Sequence, residues 1–181
     1  MRGWDYTSPG KYFVTICTLG KMPWLGTMKN GVMRLSDMGE IVTDEWIATA
    51  MIRPNVSLDE WVVMPDHFHG IIVIFEQTQQ TKHVVEPPCR AALQPTTNNQ
   101  TITNIQQSKR PKYWSPGNLG MIINTFKGAC TRNIRASGHP DFAWQPRYHD
   151  HVIRSNDEFR AIRRYIINNP RNWVRRHHTI T

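Results

Sequence analysis

The chain has 181 residues, 39% of them hydrophobic and 20% charged, a composition typical of one globular domain with a hydrophobic core. We expect a cytoplasmic protein, because the three cysteines are isolated, no apolar run could span a membrane and no signal-peptide core follows Met1. The net charge of +8 favours a polyanionic partner, either nucleic acid or an acidic membrane surface.

The first third of the chain predicts a strand, a hairpin and a helix. Residues 12–19 are rich in β-branched and aromatic side chains, which favours a strand. Residues 24–35 predict a hairpin, because Asn30 and Gly31 can supply the positive φ angles of a tight turn. Ser36 can then cap a helix that runs to about Arg53. The buried face of this helix repeats every four residues, at Met38, Val42, Trp46 and Ala50.

Two strands between residues 57 and 75 meet at Pro65-Asp66, and the second of them begins with a His-x-His pair. Because side chains alternate along a strand, His67 and His69 point to the same face. Both faces are apolar beyond the pair, which predicts a buried central strand. Two neighbouring imidazoles can bind a divalent metal ion, but the pair alone also fits two hydrogen-bonded or surface histidines. Asp66 is interpreted as a turn residue.

Residues 77–116 differ in composition from the rest of the chain. Gln, Thr, Asn and Pro dominate there without a helical or strand period, so we predict a long flexible insertion. Its end, at residues 109–114, mixes cations with aromatic rings, which can contact nucleic acid or simply remain solvated.

An amphipathic helix is predicted from Asn118 to just before Gly138. Lys127, Thr131 and Arg135 lie four residues apart on one side of it, where they can contact phosphates or be solvated. The apolar face of the helix comprises Leu119, Ile122, Ile123, Phe126, Cys130 and Ile134.

Residues 142–153 predict a last strand, with Trp144 in the core and a second His-x-His pair at His149 and His151. Because the sequence has two His-x-His pairs, the assignment of a metal site to one of them is ambiguous from the sequence. We expect its imidazoles to form hydrogen bonds near the first pair rather than to bind a separate metal ion.

The last predicted helix begins at Ser155-Asn156-Asp157-Glu158, which has the form of a capping box. Tyr165 should lie beside the apolar stripe of this helix, with Asn169 one turn further along. Pro170 is predicted to close the helix. The stripe itself comprises Phe159, Ile162 and Ile166, and three arginines add positive charge at Arg160, Arg163 and Arg164.

A His-x-His pair on a central strand, followed downstream by a helix with Tyr and then Asn-Pro, resembles the single-tyrosine transposases of the HUH endonuclease superfamily. The similarity is greatest to the REP-associated tyrosine transposases. The segments that carry the resemblance span most of the chain outside the insertion. They are Ser8-Pro9-Gly10-Lys11-Tyr12-Phe13-Val14-Thr15, Met64-Pro65-Asp66-His67-Phe68-His69, Trp144-Gln145-Pro146-Arg147 with His149-Asp150-His151-Val152-Ile153-Arg154, and Tyr165-Ile166-Ile167-Asn168-Asn169-Pro170.

The resemblance implies one α+β domain over residues 1–181, a ferredoxin-like sandwich in which helices pack on a central antiparallel sheet. It implies a nucleoid-associated, cytoplasmic protein, monomeric or homodimeric, that cleaves and rejoins single-stranded DNA near hairpins. The long insertion departs from the family and bears on how a substrate would be positioned.

The implied catalytic residue is Tyr165, which would attack the scissile phosphate and form a 5′-phosphotyrosine. His67 and His69 would hold a divalent metal ion, with the carboxamide oxygen of Asn169 as the candidate third ligand. Such a mixed nitrogen and oxygen site suits Mg²⁺ or Mn²⁺ without excluding zinc. The candidate DNA contacts are basic residues of the last two helices, namely Lys127, Arg135, Arg160, Arg163 and Arg164.

Two other classes of protein remain open from the sequence. A non-catalytic regulator that binds DNA or RNA hairpins could keep the fold without the chemistry, and loss of His67, His69 or Tyr165 would mark it. All three residues are present. A structural zinc protein is disfavoured because the cysteines are dispersed. Tyr148, next to His149, is the competing candidate for the nucleophile.

Overall fold

The computed structural model describes residues 8–76 and 118–177 of the chain. A short 3-10 turn, Leu19–Lys21, follows the first strand. In chain order the strands and helices are β1 (Gly10–Cys17), β2 (Gly26–Lys29), β3 (Val32–Leu35), α1 (Asp37–Met51), β4 (Val56–Met64), β5 (His67–Ile74), α2 (Leu119–Ala136), β6 (His149–Ile153) and α3 (Asn156–His177).

Four of the strands form a single antiparallel sheet in the order β4-β5-β1-β6. Along the chain these strands alternate with helices as β1-α1-β4-β5-α2-β6, which is the ferredoxin-like arrangement. The predicted fold class, an α+β sandwich on a central antiparallel sheet, is therefore confirmed. β5, which carries the first histidine pair, lies between β4 and β1, so its central position is also confirmed.

The two faces of the sheet carry separate apolar clusters. Helices α1 and α2 cover one face, where the larger core includes Trp46 and Phe126. Helix α3 contributes Ile166 to a smaller cluster on the other face, together with Ile71 of β5 and Ile153 of β6. Since side chains two apart on a strand share a face, His67 and His69 lie on the side of Ile71, under α3.

Short-range signals in the sequence correspond to the observed turns and caps. The hairpin between β2 and β3 turns at Asn30 and Gly31, which have φ angles of 52° and 75°. The amide of Gly39 donates a hydrogen bond to Ser36 Oγ at 3.3 Å and so caps α1. In the predicted capping box, the amide of Glu158 donates to Ser155 Oγ at 3.1 Å.

The predicted last strand is wrong in its first half. Regular pairing begins only at His149, and residues 142–148 make an isolated bridge between Trp144 and Thr18. Pro146 has no amide hydrogen to donate to a neighbouring strand. The carbonyl oxygens of Gln145 and Pro146 both accept hydrogen bonds from Lys127 Nζ, at 2.6 and 3.3 Å. These bonds connect the segment to α2 in place of regular strand pairing.

The prediction that Pro170 closes the last helix is also wrong, because α3 continues through it to His177. A proline inside a helix removes the hydrogen bond to the carbonyl four residues earlier and costs about 3 kcal/mol. Contacts beyond the proline offset this cost. Trp173 lies against His67 with ring centroids 5.5 Å apart, so tertiary packing holds the last turns in helical form.

Some features expected from the sequence fall outside the described residues, namely the insertion at 77–116, the basic and aromatic run at 109–114, and Cys89. Within the described ranges, none of the helices is both long and apolar enough to cross a membrane. Cys17 and Cys130 are free thiols, and burial raises the pKa of both.

Candidate active site

The first histidine pair occupies the start of β5, on the α3 side of the sheet. In the sheet register, His67 lies opposite Cys17 of β1 and His69 lies opposite Thr15. The two imidazole rings are 4.6 Å apart between centroids and are steeply inclined at 73°. The shared face expected from strand alternation therefore brings the two rings into contact.

Helix α1 packs closely on the face of β5 that is opposite the histidines. Gly70 follows His69 and faces the opposite side, where Trp46 of α1 covers it. A Cβ atom at Gly70 would lie 2.7 Å from the Trp46 ring and 2.8 Å from the Phe68 ring. Only glycine therefore allows α1 to approach the strand this closely, and the packing fixes the position of the neighbouring histidines.

Each imidazole is oriented by a hydrogen bond at its Nδ1 atom. Thr15 Oγ1 lies 2.8 Å from Nδ1 of His69, and Asp66 Oδ1 lies 2.5 Å from Nδ1 of His67. His69 and Thr15 come from adjacent strands, whereas Asp66 directly precedes His67. Both contacts engage Nδ1, which leaves Nε2 as the atom that each ring presents away from these partners.

Sequence reasoning missed the roles of Thr15 and Asp66 in this arrangement. In the sequence, Thr15 belongs to an ordinary strand pattern, and Asp66 has only the character of a turn residue. An acidic residue directly before the first histidine was the available signal for Asp66. For Thr15 the signal is its cross-strand register with His69, which depends on how β1 and β5 pair.

Tyr165 of α3 lies against His69, the second histidine of the pair. Its Oη atom is 3.3 Å from Nε2 of His69, and the two ring centroids are 5.3 Å apart. The Phe13 ring stacks on His69 and meets Tyr165 edge-on at 6.0 Å. Tyr165 as a whole residue is nevertheless 43% exposed, so a ligand can reach its side chain.

Asn169 lies one turn after Tyr165 and is fully buried. Neither the oxygen nor the nitrogen of its carboxamide has a hydrogen-bond partner among the described residues. Burying an amide without a partner costs free energy, so such a group calls for an explanation. A ligand that the carboxamide oxygen could bind is one such explanation.

The described residues contain no cluster of three or more His, Cys, Asp or Glu side chains able to hold a metal ion. The candidate donors are therefore the two imidazoles and the Asn169 carboxamide. A metal-binding histidine commonly uses its second ring nitrogen in a hydrogen bond that fixes the tautomer, as both Nδ1 atoms do here. The donor types of His67, His69 and Asn169 are those that a divalent ion with open coordination positions accepts, and the binding of an ion by these three residues stays a prediction.

The three candidate arginines of α3 differ in their surroundings. Arg160 pairs with Asp157 on the helix surface. Arg163 bridges to β4, where its guanidinium lies 2.9 Å from both Asp59 and Glu60. Arg164, next to Tyr165, is exposed. These residues share a helix with Tyr165, and a role for them in binding DNA stays a prediction.

Lys127 and Arg135 lie on α2, on the opposite side of the sheet from His67 and His69. Burial lowers the pKa of Lys127, whose Nζ donates to the carbonyls of residues 145 and 146. Arg135 Nε donates to the carbonyl of Phe142 at 3.1 Å. Both side chains thus anchor the segment before β6, and the structure does not bring them together with the histidines.

The second histidine pair shares the α3 side of the sheet with the first. In the register of β1 and β6, His149 lies opposite Thr15 and His151 opposite Phe13. His151 Nε2 lies 2.6 Å from Oε1 of Glu158, and a role for the second pair beside the first stays a prediction. Tyr148, the competing nucleophile, instead packs its ring against the larger core.

Comparison with known proteins extends these observations. No protein-family model matches the chain. An uncharacterised protein of Haemophilus influenzae is 33% identical over 173 residues, which cover 96% of this chain and 87% of that protein. A solved REP-associated tyrosine transposase bound to a REP hairpin matches 95% of this chain and 73% of its own, with a TM-score of 0.58 and 19% identity.

A second solved structure, a candidate transposase of Deinococcus radiodurans R1, covers 93% of this chain and 95% of its own with 15% identity. Its TM-score of 0.47 is too low to bear on the fold. The resemblance carried by the sequence motifs is confirmed at the level of the fold by the hairpin-bound structure. The chain therefore belongs to the same family as the Haemophilus influenzae protein and has the fold of the REP-associated tyrosine transposases.

Proposed function

We propose that this protein is a metal-dependent tyrosine transposase-like enzyme that cleaves and rejoins single-stranded DNA near hairpins. The observation that carries the proposal is the contact between Tyr165 and His69 of the histidine pair. An exposed phenol with its oxygen 3.3 Å from His69 Nε2 combines a nucleophile with a site for the phosphate it would attack. Tyrosine is a known covalent nucleophile once a neighbouring group or metal activates it.

In the proposed reaction, Tyr165 Oη forms a bond to the scissile phosphorus while the bond from phosphorus to the 3′ oxygen breaks. The 3′ oxygen takes up a proton and leaves as a free hydroxyl, and the 5′ phosphate stays on the tyrosine. The phenol gives up its proton from Oη to solvent water, which reaches the partly exposed Tyr165. The new ester conserves the energy of the broken one, so rejoining needs no ATP.

The role of the histidines depends on the fixed orientation of their rings. Thr15 and Asp66 hold Nδ1 of the two rings, so the Nε2 atoms are pre-oriented before any substrate arrives. A divalent ion bound by His67, His69 and Asn169 would neutralise charge on the non-bridging phosphate oxygens and favour the phenolate. The ordinary phenol pKa near 10 makes such help necessary at neutral pH.

The proposed substrate rests on charge and on the solved neighbour. A net charge of +8 supports binding to a polyanion. The REP-associated transposase of similar fold is bound to a REP hairpin, which supports a hairpin with single-stranded flanks as the substrate here. Action on chromosomal DNA would place the protein with the nucleoid in the cytoplasm.

Mapping the covalent intermediate tests the proposal directly. The purified chain would be mixed with a labelled hairpin oligonucleotide carrying single-stranded flanks, in Mg²⁺ or Mn²⁺, and then denatured. We expect a covalent protein–DNA band, and peptide mass spectrometry should place the nucleotide on Tyr165. If no adduct forms with either metal on any hairpin substrate, the protein is a non-catalytic hairpin binder.

A further inference from the structure

A second polar site lies beside the active site, in a pocket between β6 and the first turn of α3. The pocket has a volume of about 300 Å³, at the lower end of the range for ligand sites. Its lining includes four polar residues that the proposed reaction does not use: His149, His151, Arg154 and Glu158. We call it the flank pocket.

The polar groups of the flank pocket are held in place by hydrogen bonds. Glu158 accepts from His151 Nε2 and from the amide of Arg154, at 2.6 and 2.7 Å. These two bonds lower the pKa of Glu158, which keeps the carboxylate ionised. The imidazole of His151 is still 47% exposed and Glu158 is 33% exposed, so both can meet a ligand. Orientation together with exposure is what a recognition site requires.

The flank pocket lies on the same side of the sheet as Tyr165. His69 of β5, Thr15 of β1 and His149 of β6 are cross-strand neighbours in one row. Neighbouring strands are about 4.8 Å apart, so His149 is roughly 10 Å from His69 along this row. If one phosphate of a single-stranded DNA lies at Tyr165, a nearby nucleotide of the same DNA can therefore reach the flank pocket.

We propose that the flank pocket binds one unpaired nucleobase in the single-stranded flank of the substrate, an inference that rests on the proposed function. The lining offers the acceptor of Glu158 next to the donors of Arg154 and the histidines, which matches a base edge with both donors and acceptors. The Glu158 carboxylate disfavours a phosphate at this position. The second His-x-His pair would thus read the DNA that the first pair helps to cleave.

The test uses the full chain with Tyr165→Phe, so that cleavage cannot alter the probe. Fluorescence anisotropy would measure its Kd for a flanked hairpin and for copies in which one flank nucleotide at a time is abasic. His151→Ala and Glu158→Gln would each be added as pocket variants, the second of which keeps an acceptor for the Arg154 amide. His139→Ala, in the loop after α2, is the matched control.

We expect one abasic position to raise Kd at least about fivefold, the loss of a single base contact. In His151→Ala and Glu158→Gln the intact and abasic probes should bind equally at that position, whereas His139→Ala should keep the difference. The inference is overturned if both pocket variants keep the difference in Kd between the intact and abasic probes. It is also overturned if no abasic position changes Kd, or if the chain does not bind the hairpin. A wild-type chain that forms no adduct but shows this coupling would refute only the cleavage reaction.

Discussion

Tyr165→Phe should abolish DNA cleavage and leave the fold nearly unchanged. The substitution removes one oxygen, whose hydrogen bond to His69 Nε2 is long at 3.3 Å and belongs to a residue that is 43% exposed. Such a bond contributes less than about 1 kcal/mol, which for a chain of this length is a Tm change below about 3 °C. The ring keeps its contacts with Phe13 and His69. Without Oη no bond to phosphorus can form, so the loss of cleavage should be complete.

Denaturing gels with a labelled hairpin would measure the covalent band, and thermal melting would measure stability. DNA binding by Tyr165→Phe should persist, because no cation is removed. Tyr148→Phe is the matched control, and it should still form the adduct because that ring packs on the core. If Tyr165→Phe retains the adduct and Tyr148→Phe loses it, the wrong tyrosine has been assigned.

Three further results are expected. Cleavage should stop in excess EDTA and return with Mg²⁺ or Mn²⁺, and His67→Ala should abolish it without unfolding the chain; full activity in EDTA would end the metal hypothesis. Gly70→Ala should lower stability by about 1–3 kcal/mol because its Cβ would press on Trp46, whereas Gly128→Ala, whose Cβ would meet nothing within 4 Å, should raise it by about 0.5–1 kcal/mol. Equal effects on Tm would contradict the packing argument. DNA affinity should fall steeply with salt and favour a flanked hairpin over blunt duplex; equal affinity for both would leave a generic DNA binder.

Local signals in the sequence predicted most of the fold. Asn30 and Gly31 define their turn through their own backbone preferences, and Ser36 and Ser155 cap helices within three residues of themselves. Strand alternation likewise put His67 and His69 on one face without knowledge of the partners. Each of these features depends on residues close together in the chain, which is why sequence reasoning reaches them.

The features that sequence reasoning missed depend on distant parts of the chain. Pro170 has the local character of a helix stop, but contacts of Trp173 with β5 carry the helix past it. Residues 142–148 have strand-like composition, yet Lys127 of α2 donates to the carbonyl oxygens of Gln145 and Pro146. Thr15 becomes a partner of His69 only through strand register. In all three, tertiary packing overrides the local preference.

The continuation of α3 past Pro170 also changes the electrostatic environment of His67. It brings the indole of Trp173 against His67, whose side chain is only 12% exposed. An apolar ring in this position displaces water from one side of the imidazole and lowers the local dielectric constant. Because the Coulomb energy between charges rises as the dielectric constant falls, a phosphate and a divalent ion held at His67 as proposed would attract each other more strongly there than at an open surface.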